Sequence, residues 1–224
     1  MKKAFILILA VALTSQGAKA ATLFAGDTGS GLTLSNGTTA LASGAIRFGH
    51  FASGFDFAAN ANDLAALQAA FTEVVAYTGS ISAFGADGFF DQSLSYTAGG
   101  TYGALPYDGS ASSTSNVAGD IAGSTIYAWI LNNANTLSAT EQAIFSTSQV
   151  WTDADTVPVN DSSMSWQAGT SGLVAHIGSL SSGADIGAGA PSHSLASIAA
   201  VPEPSRAMLG FVGLAAMLFR RRRA

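Results

Sequence analysis

The apolar residues of this chain come in short alternating runs, broken every few positions by Gly, Ser, Thr or Asn, and that punctuation leaves little room for long helices. Runs of this kind read as strands. The candidates are residues 22–25, 32–35, 45–51, 89–97, 125–131, 164–168 and 173–177. In a strand, successive side chains point to opposite faces, so Ile46, Phe48 and His50 should share one face, and Ala45, Arg47, Gly49 and Phe51 the other. The expected fold is mainly β, a β-sandwich or jelly-roll-like body with one or two short helices.

The first helix is expected where Asn62 can cap a segment in which Leu64, Leu67, Phe71, Val74 and Val75 recur at helical spacing. The second is expected at Ser138-Ala139-Thr140-Glu141, a capping-box pattern, with Ala143, Ile144 and Phe145 as its buried side.

Charge is distributed unevenly. Every Asp and Glu except Glu203 falls between residues 21 and 200, where Arg47 is the only Lys or Arg. Binding to a phosphate backbone needs clustered cations, so an acidic body of this kind excludes nucleic acid as a partner. The chain has no cysteine, which excludes thiol catalysis, Cys-ligated zinc and a disulfide framework. The body must rely on its own core.

Both ends carry address signals. Met1-Lys2-Lys3 is a positive segment, residues 4–13 an apolar run, and Ala18-Lys19-Ala20 a small-x-small cleavage pattern ahead of Ala21, which together predict a signal peptide over residues 1–20. The apolar run is too short to cross a bilayer core, which needs about 20 helical residues. At the other end Pro202, Glu203, Pro204 and Ser205 precede Arg206, an apolar stretch over 207–219, and the cluster Arg220, Arg221, Arg222 and Arg223. Under the positive-inside rule those arginines belong on the cytoplasmic side of a single membrane helix.

This order resembles the PEP-CTERM sorting tail. The resemblance covers residues 201–224, and it implies recognition and cleavage by an exosortase, an integral-membrane protease that passes the body to the cell surface or extracellular matrix. The body itself more loosely resembles other secreted PEP-CTERM proteins, through residues 126–131 and Trp151, and carries no assigned activity from that likeness.

Between the ends no motif carries strong chemistry. Asp27-Thr28-Gly29-Ser30 is similar to the catalytic loop of pepsin-like proteases, but the paired second loop is missing from the sequence. His50, His176 and His193 lack an accompanying Gly-x-Ser-x-Gly elbow. Asp153, Asp155 and Asp161, with Asn160, offer hard oxygen ligands in one loop and are candidates for structural calcium, although their spacing fits no EF-hand. Asp87 and Asp91 form a second acidic pair. Trp129, Trp151, Trp166 and Tyr127 suit either core packing or a sugar-stacking platform.

The expected organisation is a signal peptide (1–20), a β-rich extracellular body (21–182), a Gly/Ala/Ser-rich spacer (183–200) and the sorting tail (201–224). The expected function is that of an exported, non-enzymatic surface or matrix protein of structural or adhesive type, with no cofactor beyond a structural calcium ion. Its partners would be the Sec machinery, an exosortase and extracellular polysaccharide, with transient membrane insertion. A glycan-binding module or weak glycan-active enzyme, and a permanently membrane-anchored surface protein, are the alternatives.

Overall fold

The computed structural model describes residues 20–26, 30–83, 86–89, 91–97, 102–105, 111–112, 123–151, 161–167 and 172–199. The signal peptide up to Lys19, Asp27, Asp153, Asp155, Asn160 and the tail from Val201 through Arg223 lie outside these residues. Among the described residues no helix is long and apolar enough to cross a membrane.

The chain is mainly β, with largely antiparallel sheets and two short helices. In order the elements are β1 (Ala20–Gly26), β2 (Leu32–Thr33), β3 (Ser43–Phe51), α1 (Phe57–Asn60), α2 (Leu64–Ala70), β4 (Phe71–Ser80), β5 (Ser82–Ala83), β6 (Ala86–Asp87), β7 (Asp91–Thr97), β8 (Tyr102–Leu105), β9 (Ala111–Ser112), β10 (Thr125–Leu131), β11 (Glu141–Val150), β12 (Asp161–Gln167), β13 (Val174–Ile177), β14 (His193–Ser194) and β15 (Ala196–Ser197). The larger sheet runs β13-β11-β10-β3-β4-β9, with β15 also pairing β11; the smaller runs β12-β1-β7-β8.

The face alternation expected of β3 is realised at Ala45, Ile46, Phe48 and Phe51. Ile46 and Phe48 enter a core cluster with Ala128 and Ile130 of β10, Phe145 of β11, and Leu23 and Ala25 of β1, so the smaller sheet contributes to this side. Ala45 and Phe51 face the other way, into a cluster with Trp129, Leu131, Ile144 and Leu67 of α2. The middle strands are buried on both faces. That is why their sequences read as nearly continuous apolar runs.

Both expected helices are corrected. Asp63, not Asn62, caps α2, accepting the Ala66 N–H at 2.9 Å. The helix stops at Ala70, and Phe71, Val74 and Val75 lie in β4. Asn62 instead accepts the N–H of Ala199 at 2.8 Å. Pairing of nine β4 residues along the whole of β3 overrides the local helical spacing. The capping box at Ser138 ends a single 3-10 turn over Thr136–Ser138, and Ala143, Ile144 and Phe145 belong to β11, alternating between the two core clusters.

The stretch expected as a spacer is also corrected, because residues 183–199 are woven into the body. β14 pairs parallel to β2, and β15 pairs antiparallel to the start of β11. Leu195 is buried in the main core. Thr33 Oγ1 bonds the His193 carbonyl at 3.2 Å and Ser194 Oγ at 3.0 Å. Ile186 fills a notch at Gly31 and Gly88 that a Cβ at either glycine would close. A low-periodicity, Gly-rich text reads as a linker, yet here the stretch is tied to the body by long-range backbone bonds such as His193 N–H to the Gly31 carbonyl at 2.9 Å.

Candidate functional site

Residues 51–57 carry Phe51, Phe55 and Phe57 around a turn at Gly54, whose φ of 78° suits glycine. The turn folds these rings back over the outer face of the larger sheet. Phe51 meets Phe55 at 5.2 Å between ring centroids, Phe57 at 4.9 Å, Phe71 at 4.9 Å and Tyr127 at 5.4 Å. Phe71 meets Trp129 edge-on at 5.4 Å. Gly49 makes room for this cluster, since a Cβ there would strike the Thr72 carbonyl and the Phe71 ring.

A cavity of about 480 Å³ opens where this cluster meets the start of β10. His50, Phe55, Phe57 and Tyr127 line it together with Ser53, Ser124 and Thr125. Among the described residues no Asp, Glu, Lys or Arg is in its wall. Burial pushes the Tyr127 hydroxyl up and the His50 imidazole down, the latter partly offset by a backbone bond at Phe51. The described residues of the wall are therefore neutral at neutral pH.

Behind Phe57 and Tyr127 sits a Ser-His pair. His176 Nε2 lies 2.8 Å from Ser146 Oγ, and the imidazole packs on Phe57 at 4.5 Å and Tyr127 at 5.3 Å. The β11–β13 register shifts at this point, pairing Ile144 with Ile177 and Phe145 with Ala175, so His176 sits at an irregularity that re-aims its side chain. Among the described residues no carboxylate hydrogen-bonds His176, and Ser146 is 6% exposed.

Burial lowers the His176 pKa from 6.5, as it does for His50. The unfolded chain takes up protons near pH 6.5 that the native chain refuses, so stability is full above that pH and falls as pH drops through the lowered native values. The urea midpoint should decline between about pH 7 and about pH 5, and His176→Gln should flatten the decline. An unchanged slope in that variant would remove His176 from this account.

The other sequence candidates that are described are dispersed. Ala20 and Ala21, at the expected signal cleavage, begin β1. Asp161, a calcium candidate, opens β12 and pairs with Ala21. Asp87 ends β6 and Asp91 begins β7. Among the described residues no three His, Asp or Glu side chains converge on a metal position. Trp129 and Trp151 are fully buried, Trp129 Nε1 donating to Gln142 Oε1 at 2.8 Å and Trp151 Nε1 to the Gly49 carbonyl at 3.2 Å. They are core residues, and Trp166 lies in β12. His193, expected in the spacer, is buried, with Nδ1 accepting the Ser181 N–H at 2.9 Å.

The cavity itself was missed in the sequence. Its available signal was the close spacing of Phe51, Phe55 and Phe57 around a glycine turn; the approach of residues 123–125 and of His176 is long-range. Comparison of the chain with protein-family models, curated proteins and solved structures finds no match.

Proposed function

We propose that this chain is an exported surface or extracellular-matrix protein, delivered by a Sec signal peptide and sorted by an exosortase-type protease at Pro202-Glu203-Pro204. The observation that carries this reading is the order of parts at the C-terminus: Pro-Glu-Pro, an apolar stretch over 207–219, then Arg220 to Arg223. Two further features support it. The expected cleavage before Ala21 would remove only the first residue of β1, and β15 with the Asn62–Ala199 bond secures the body just ahead of the sorting motif.

The body in this reading is a non-enzymatic two-sheet sandwich of structural or adhesive type. Among the described residues the Ser146–His176 pair has no carboxylate partner and no three titratable side chains converge, which favours that over hydrolysis. The absence of cations other than Arg47, which is paired with Glu73 at 2.6 Å, suits a polysaccharide environment better than a nucleic-acid one.

The intact mass of the protein from the native host's surface and extracellular fractions tests this reading. The expected chain begins at Ala21 and ends near Pro204 or Ser205. A mass that retains Arg220 to Arg223 would mean a lasting membrane anchor and would overturn the sorting step.

A further inference from the structure

We propose that the cavity between the Phe51–Phe57 turn and the start of β10 binds a neutral pyranose unit of a polysaccharide. This deepens the matrix reading, which supplies the polysaccharide, but the binding it asserts is a property of the purified chain.

The volume, about 480 Å³, falls within the range of about 300–1,000 Å³ that holds small-molecule ligands. The lining then selects among ligand classes. With no Lys or Arg in the wall, and the body's only Arg already engaged by Glu73, phosphate and carboxylate ligands find no counter-charge. With no Asp or Glu among the described residues of the wall, those residues offer a metal ion or an amine none either. The ligand that these residues suit is uncharged.

The wall is also two-natured. Phe55 stacks on Phe51 with 25° between the ring planes, which covers one face of Phe55 and leaves the other turned away from Phe51. Phe55 is half-buried and so available beside Tyr127. Near these apolar surfaces lie hydroxyls at Ser53, Ser124 and Thr125, and the His50 imidazole, whose depressed pKa keeps it neutral as both donor and acceptor. A purely apolar ligand would strand those polar groups. A pyranose presents C–H groups on its faces and hydroxyls around its edge, which answers both parts of the wall. The Phe rings lean on one another as a continuous wall, whereas a quaternary ammonium needs rings closed around a point.

The test is calorimetric titration of the full-length chain, held in a detergent without a sugar head group, with cellotetraose, mannotetraose and galactotetraose. Polygalacturonate and choline serve as the charged comparators. At least one neutral tetrasaccharide should bind with a Kd of about 1 mM or tighter. Phe55→Ala should weaken it about tenfold or more, and Ser53→Arg, which blocks the mouth from an exposed position, should do the same with an unchanged melting temperature. Three results would overturn the proposal: no neutral probe binding, a charged comparator binding in their place, or binding that survives both substitutions. Because the sorting reading is decided by a mass measurement on host fractions, either can fail without the other.

Discussion

Replacing Trp129 with alanine should lower the unfolding free energy by about 3–5 kcal/mol, the range found when a large buried aromatic is truncated. Trp129 is fully buried on β10, paired across the sheet with Arg47 of β3 and Ile144 of β11. Its ring joins the Phe51–Phe71 cluster, and its Nε1–H holds Gln142, whose own Nε2 donates to the Ala61 carbonyl at 2.8 Å. Truncation therefore opens a cavity and also leaves Gln142, fully buried, without one partner. Trp129→Phe should cost less, since it restores most of the volume but not the hydrogen bond. Equilibrium urea unfolding of both variants gives the comparison. A loss under about 1 kcal/mol for the alanine variant would mean that this face of the sheet is not the packed layer described.

Ending the chain after Ser182 should abolish cooperative unfolding, whereas ending it after Ala200 should preserve it. The shorter chain loses Leu195 from the main core, Ile186 from its notch at Gly31 and Gly88, and both short strands, β14 paired to β2 and β15 paired to β11. It also strips Thr33, which is fully buried, of its partners His193 and Ser194. Burying an unsatisfied hydroxyl and exposing a Leu-sized cavity each cost kilocalories, and together they rival the total stability of about 5–15 kcal/mol for a typical domain. Circular dichroism melting of the two chains is sufficient. A sharp transition in the shorter one would restore the spacer reading of residues 183–200.

The sequence made the strands legible wherever one apolar run could form one strand. The segment 125–131 coincides with β10, and the expected strand 45–51 lies within β3. It misled where local chemistry and tertiary pairing disagreed. Leu64 and Leu67 do lie in a helix, but the same spacing continues into Phe71 and Val74, and nothing local marks where the helix gives way to β4. Glu141 looked like the acidic partner of a capping box; its carboxylate in fact accepts the N–H of Ser35 at 2.7 Å, a residue remote in the chain. The cavity was hidden for the same reason, because His50, Phe55, Ser124 and Tyr127 come from separate stretches that only the β3–β10 pairing brings together. The histidines were legible as strand residues at positions 50 and 176, and illegible at 193, where burial depends on β2.

The two parallel pairings, β1 with β12 and β2 with β14, join the first strands of the body to some of its last. Ala21 faces Asp161, and Leu32 faces His193. Contacts spanning most of a chain are slow to form, because the entropy of closing the intervening loop must be met before the contacts repay it. A body that emerges N-terminus first thus presents β1 and β2 long before these partners exist, and among the described strands β1 has only β7 to lean on in the meantime. The topology works as a timer: the first strands of the body find their parallel partners only when β12 and β14 arrive.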